Sequence, residues 1–258
     1  TAISCGLIIR EVFHLALRQT QGMVSSLMDL LKLDLECPHY STLCRRQDGL
    51  KIPLPRTTFS EALHVVVDST GLKVYGEGEW KVRKQGYSKR RTWRKLHLAV
   101  DPSTHEILAM TLTTHDVGDR EVFEKLINSI EEPIEQISGD GGYDTWEAYK
   151  VAQNKGSRLV VPPQENAVLK DPKFKQWDTP LRDEFLRDIE LLGRAGWKVQ
   201  EGYHRRSLYE TAMFRVKTIF GSNLKNRLFD HQQTEALLKC VALNKMTQLG
   251  MPLSHQMF

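Results

Sequence analysis

The spacing of hydrophobic positions changes along the chain, and the change divides it. Over residues 1–60, Ile8, Val12, Leu15 and Ala16 recur at helical intervals. Val24, Leu27, Leu30 and Leu31 do so again after Thr20, a candidate N-cap. Pro38 interrupts the pattern, and Ser41 offers a cap for a short third helix reaching Arg45 and Arg46. Helix, turn, helix with a basic end suits a DNA-reading unit, and a plain helical bundle fits the same spacing. A linker with Pro53 and Pro55 follows.

From about Ala62 the apolar runs shorten and become β-branched. Leu63 to Val67 predicts a buried strand stopped by Asp68. Leu96, Leu98 and Val100 alternate with His97 and Ala99, a half-buried strand. Beyond the turn residues Asp101, Pro102 and Ser103, Ile107 to Thr113 predicts a third. Asp119 is placed to cap a helix carrying Val122, Phe123, Leu126, Ile127 and Ile130. Ile134 to Ser138 predicts a fourth strand, ending at Gly139 and Asp140. Asp144 and Glu147 have capping-box spacing for a helix over Trp146 to Lys155, and Leu159 to Val161 predicts a fifth strand before Pro162 and Pro163.

Three strands, then helix, strand, helix, strand, give an α/β mixed sheet: three antiparallel strands, then βαβ crossovers, flanked by helices. That is the order of the ribonuclease H-like fold. The predicted organisation is a helical region over 1–60 and a ribonuclease H-like domain over 61–245. That domain carries an irregular, partly helical insertion at about 164–200, to which the sequence assigns no task, and a tail follows over 246–258.

Composition narrows the classes. With 258 residues, 40% of them hydrophobic, the chain can bury one sizeable core beside a small second unit. No run approaches the ~18 apolar residues of a membrane span and no signal peptide opens the chain, so a cytoplasmic protein is expected. The chain opens on Thr1 and enters an apolar helical pattern at once, as a fragment or processed chain would. Among its four cysteines there is no C-x-x-C pair; Cys37, His39 and Cys44 lack a fourth ligand, and reduced thiols are expected.

The net charge of +4 is mild, but its distribution is not even. From Lys81 to Lys95 eight of fifteen residues are basic and none is acidic. Lys89, Arg90, Arg91 and Arg94 stand there among Trp80, Tyr87 and Trp93, a mixture suited to neutralising a DNA backbone and stacking on bases. A solvated hairpin is the plain alternative.

Three acids hold positions where chemistry is done. Asp68 directly follows the valine run, and buried carboxylates are paired or metal-bound; a strand-end turn through Ser69, Thr70 and Gly71 explains it equally well. Asp140 precedes Gly141 and Gly142, a turn signal, yet also lies at the carboxyl end of a strand, where open sheets bind ligands. Glu210 shares a narrow stripe with Tyr203, Arg206 and Lys217 at ~100° per residue, opposite Leu208, Ala212, Val216 and Ile219, with Phe214 the exception. A solvated face explains the charges of an ordinary helix easily, and explains less well why tyrosine, arginine, glutamate and lysine share one line beside two strand-end acids.

These blocks resemble those of the DDE-type transposases of bacterial insertion sequences. The likeness is to the lineage whose third acid lies in a Tyr-x2-Arg-x3-Glu-x6-Lys signature, here Tyr203, Arg206, Glu210 and Lys217 without a gap. Val67-Asp68-Ser69-Thr70 resembles the first acidic block and Gly139-Asp140-Gly141-Gly142-Tyr143-Asp144 the second, the whole spanning about residues 40 to 245. The resemblance implies Asp68, Asp140 and Glu210 as a catalytic triad that binds two ions of Mg2+ or Mn2+. It implies cleavage of phosphodiesters at the ends of an insertion sequence and transfer of the freed 3′-hydroxyls to target DNA. Arg206 and Lys217 would neutralise phosphate, and Tyr203 would stack on or hydrogen-bond to DNA. The implied partner is double-stranded DNA, both terminal inverted repeats and target, bound by a homo-oligomer in the bacterial cytoplasm, at the nucleoid when on DNA. Two rivals stay open: a truncated, catalytically silent DNA-binding relic, and a nuclease of the same fold that cuts without joining.

Overall fold

Twelve consecutive residues, Leu63–Val74, form β1, the strand on which the sheet is assembled. This computed structural model describes residues 2–57, 62–74, 93–169 and 180–250. On one side of β1 lies β2 (Trp93–Val100), antiparallel to it, and then β3 (Ile107–Thr114), antiparallel to β2. On the other side lie β4 (Ile134–Ser138) and β5 (Arg158–Val160), both parallel to β1. The order is β3-β2-β1-β4-β5, and a short β6 (Asn223–Leu224) pairs in parallel with Lys73 and Val74 at the far end of β1.

Two helical layers cover this sheet. The crossover helices α4 (Asp119–Asn128) and α5 (Trp146–Asn154) bury Phe123, Ile127, Ala148 and Ala152 against Val65, Val67 and Ala99. On the opposite face, α7 (Ser207–Phe220) and α8 (Phe229–Leu249) bury Ala212, Val216, Ala236 and Cys240 against Val66, Leu96 and Leu98. Successive residues of a strand face opposite ways, so a strand covered on both sides must be apolar at every position. That is why Val65, Val66 and Val67 form an unbroken run. The mixed sheet between helices has the ribonuclease H-like order expected of it.

The N-terminal helices α1 (Ala2–Val12), α2 (Leu17–Leu30) and α3 (Tyr40–Arg45) form a bundle seated on α8, where Leu7 and Leu43 meet Leu238. Residues 180–200 of the predicted irregular insertion are helical, α6 (Pro180–Gln200), in two segments that meet at Gly193, whose φ of 71° is not helical and suits a residue without a side chain. The predicted tail starts inside α8, which runs on to Leu249. Among the described residues no helix is long and apolar enough to cross a membrane.

Several local expectations are corrected. Asp68 does not stop β1: the ladder with β2 continues from Ser69↔His97 to Lys73↔Trp93, and that pairing holds Ser69, Thr70 and Gly71 extended. β2 is buried on both faces at its carboxyl half, not half-buried, and His97 lies inside with a ring nitrogen 2.8 Å from Thr113 Oγ1. Thr20 lies within α2, its hydroxyl donating to the Ala16 carbonyl, and His39 rather than Ser41 caps α3. Gly118 precedes α4, where Glu121 Oε1 accepts its N–H at 2.8 Å, so Asp119 is the first helical residue and not the cap. Thr145 caps α5 because the carboxylate of Asp144 is already engaged by Arg182 (2.9 Å) and the Gln164 N–H (3.1 Å).

A buried ion pair ties α8 to the strand that prolongs the sheet. Lys239 Nζ donates to Glu235 at 2.9 Å and to the Asn223 carbonyl at 2.9 Å, and Glu235 also accepts the backbone N–H groups of Lys225 and Asn226. Both side chains are almost wholly enclosed. Removing one member of such a pair strands the other charge out of water, so Glu235→Ala is expected to lose about 3–5 kcal/mol in urea unfolding. A loss below about 1 kcal/mol would mean that the pair is not sealed from solvent.

Candidate active site

Register decides where the first two acids stand. β1 and β4 pair as far as Val66↔Ser138. Asp68 and Asp140 each lie two residues beyond that pair, so their carboxylates leave neighbouring parallel strands at the same level. With a period of two, His64, Val66 and Asp68 share a face with Gln136 and Ser138, and Val66 marks it as the face under α7 and α8. At Asp140 the chain leaves the sheet through a 3-10 turn, η1 (Gly141–Tyr143), and Asp140 Oδ1 accepts the Gly142 N–H at 2.9 Å. Only glycine fits at 139, where a Cβ would come within 2.7 Å of the Tyr143 ring and 3.2 Å of Val67.

Both oxygens of Asp68 are engaged. Oδ1 accepts the Ser69 N–H at 2.7 Å, and Oδ2 accepts Arg206 Nη2 at 2.6 Å. Burial raises the pKa of this carboxyl most; the Ser69 N–H and Arg206 pull it down, and the negative charge of Asp140 pushes it up again. The two acids are thus electrostatic neighbours.

Arg206 and Tyr203 reach the sheet from η2 (Tyr203–Arg206), a 3-10 turn leading into α7. The expected single α-helix through all four signature residues is replaced by this turn plus a helix. Residues three apart eclipse in a 3-10 helix, so Tyr203 and Arg206 point the same way. From Arg206 to Glu210, four α-helical steps add ~400°, only ~40° from that line. The signature keeps its alignment by a different geometry.

Tyr203 is buried and its hydroxyl donates to the Gly139 carbonyl at 3.0 Å, beside Asp140. Its ring meets Trp197 of α6 (centroids 5.7 Å apart), which packs in turn on Phe185 and Val160. Here is a task for the insertion that the sequence did not reveal: α6 props η2 against the carboxyl ends of β4 and β5. The DNA contact expected of Tyr203 has no exposed hydroxyl to make it.

On α7 the buried positions are Tyr209, Ala212, Met213, Val216 and Phe220, a face rotated slightly from the one expected through Leu208 and Ile219; Phe214 is exposed, as its place on the polar stripe requires. Glu210 is exposed in the first turn of α7, and Lys217 is half-buried in the last. Among the described residues no three His, Cys, Asp or Glu side chains lie close enough together to hold a metal ion. Asp68, Asp140, Arg206 and Tyr203 come together; the Glu210 carboxylate stays outside the pair, on the helix that roofs it. The pair alone suits a hard cation, because Mg2+ takes one or two carboxylates and completes its shell with phosphate oxygens and water.

Arg94, expected on DNA, donates from Nε to Gln232 at 2.8 Å and lies over the Phe229 ring at 5.3 Å, so it secures β2 to α8. Lys89, Arg90 and Arg91 fall outside the described residues. His64 drew no attention in the sequence; the signal was its place four residues before Asp68, on the same face. Its Nε2 lies 2.9 Å from Ser138 Oγ, and burial, helped by the charge of Arg205, lowers its pKa to about 4.

A mixed sheet of ribonuclease H-like order, with one carboxylate on its central strand level with another just past the neighbouring parallel strand, defines the class. Residues 60–245 match a family model described as a transposase DDE domain, and residues 1–77 match a second model of the same description. The chain belongs to the DDE transposase family, and the match begins at the first residue rather than near residue 40. A simian T-cell lymphotropic virus intasome, solved in complex with PP2A regulatory subunit B56 gamma, shares 13% identity with a TM-score of 0.30, covering 91% of this chain and 72% of that one. A likeness at that level bears on neither fold nor chemistry.

Two predictions follow from the neighbours of the acids. A histidine held neutral in the fold contributes stability that is complete above its unfolded pKa of 6.5 and is lost as pH falls toward about 4. The melting temperature of the native chain should therefore drop more steeply across that window than that of His64→Gln; parallel curves would show His64 to be solvated. Tyr203→Phe strips the Gly139 carbonyl of its buried donor and should cost about 1–3 kcal/mol in urea unfolding with DNA affinity unchanged. Weakened DNA binding at unchanged stability would return Tyr203 to the DNA interface.

Proposed function

We propose that this chain is the catalytic part of an insertion-sequence transposase that cuts phosphodiesters at the element's ends and joins the 3′-hydroxyl ends to target DNA. The observation that carries the proposal is the register: Asp68, within β1, and Asp140, just past the carboxyl end of β4, each lie two residues beyond the last pair of the two strands, in a chain of the DDE transposase family. Bound there, two divalent ions, magnesium or manganese, would activate the attacking oxygen and stabilise the leaving one.

The chain's own residues supply the rest. Asp68 and Asp140 offer hard oxygen donors at a half-buried place, where charge acts more strongly than in water. Glu210, in the first turn of the helix above them, would add a third carboxylate to those that hold the ions. Arg206 reaches Asp68 from η2, and Lys217 lies about two turns beyond Glu210 along α7, both placed to neutralise phosphate. In the first step water attacks the phosphorus at the element's end, the P–O3′ bond breaks, and a 3′-hydroxyl is freed beside a 5′-phosphate. In the second, that hydroxyl attacks a phosphorus of target DNA, and the target's own 3′ oxygen leaves. Both are in-line displacements at one site, on double-stranded DNA.

Cleavage and joining assays on duplexes carrying the element's inverted repeats test this. Asp68→Asn, Asp140→Asn and Glu210→Gln should each lower both products by about a hundredfold or more, the scale of removing one electrostatic stabiliser of a transition state. Cutting without joining in the native chain would make it a nuclease, binding without cutting a relic. A Glu210→Gln variant of native activity would remove that residue from the triad.

A further inference from the structure

The contact between Arg206 and Asp68 has a consequence for how metal and DNA enter the site. Oδ1 of Asp68 is turned to the Ser69 N–H of its own strand, so Oδ2 is the oxygen free to face outward, and the guanidinium sits on it. A divalent cation needs that oxygen and repels the guanidinium. Both cannot hold it at short range.

The attachment is built to let go. Arg206 binds Asp68 through Nη2 alone, not through the two-pronged fork that guanidinium groups make with carboxylates at their strongest, and its Nε has no hydrogen-bond partner. A phosphodiester presents two anionic oxygens and can engage the fork fully. The side chain is about a quarter exposed, so a path to a docked backbone exists. Nor does the main chain have to move, because the buried hydroxyl of Tyr203, three residues earlier and on the same line, fixes η2 to Gly139.

We propose that Arg206 is a latch coupling the two ligands. Its guanidinium holds Asp68 Oδ2 until a DNA phosphate draws it away, and the freed oxygen then takes a divalent cation. By reciprocity of linked equilibria, DNA tightens metal binding and metal tightens DNA binding by the same factor. A transposase so arranged does not keep a loaded metal centre away from DNA. The inference rests on the reading of Asp68 and Asp140 as metal ligands given under Proposed function.

The test is Mn2+ binding by the full chain, followed as loss of the electron paramagnetic resonance signal of free Mn2+, with and without a short blunt-ended DNA duplex. The native chain should bind Mn2+ about tenfold or more tightly with the duplex than without it. Arg206→Gln should bind Mn2+ without DNA about as tightly as the native chain does with it, and the duplex should add little. Arg206→Lys keeps the charge but not the fork, so it should bind Mn2+ as weakly as the native chain without DNA and gain less from the duplex. Native affinity indifferent to DNA, an Arg206→Gln variant no tighter than native, or an Arg206→Lys variant behaving like Arg206→Gln would each overturn the latch. Asp140→Asn separates the two ideas. If it abolishes Mn2+ binding and a latch outcome still fails, only the latch falls; if Mn2+ binding survives it unchanged, the metal-site reading falls and takes the latch with it.

Discussion

Two like charges held side by side at the edge of an apolar sheet are the constraint around which this molecule is arranged. Parallel pairing of β1 with β4 puts Asp68 and Asp140 at one level, and burial together with the neighbouring charge of Asp140 works against the ionisation of Asp68. What offsets this is local: one backbone N–H for each acid, from Ser69 and Gly142, and the Arg206 guanidinium on Asp68. An arrangement that costs stability at the point of chemistry must be supported from elsewhere. Here the valine run beneath and the two helical layers supply that support.

Support also comes from outside the sheet. η2 is a single turn, too short to hold a position by itself, and it is fixed by a buried hydrogen bond to Gly139 and by the aromatic stack of Phe185, Trp197 and Tyr203. α6 therefore belongs to the site although none of its residues faces the acids. The N-terminal bundle stands further off, seated on α8, whose enclosed Glu235–Lys239 pair locks that helix to β6 and so to the far end of β1.

Much of this was legible in the chain, and what was not has physical causes. The strand and helix order follows from apolar spacing, which depends only on near neighbours. Asp68 was misplaced at a strand end because Ser69, Thr70 and Gly71 favour turns; pairing with β2 overrode that preference, and pairing is not local. The alternation in β2 suggested one wet face, since nothing nearby announces that Thr113 and the start of α4 will enclose His97. The clustered positive charge led to Arg94, whose partners on α8 lie far along the chain. The signature residues were found by spacing, yet their tasks were not: Arg206 meets an acid 138 positions away.

The two acids are mounted differently. Asp68 sits mid-strand, with backbone pairing to β2 on both sides of it, whereas Asp140 rides a single 3-10 turn and Glu210 the opening of a helix. The ladder thus holds one acid from both flanks, while the other two depend on short segments at the rim of the sheet. A substitution that loosens η1 or the opening turn of α7 therefore displaces Asp140 or Glu210 and leaves Asp68 where its neighbours on β2 keep it.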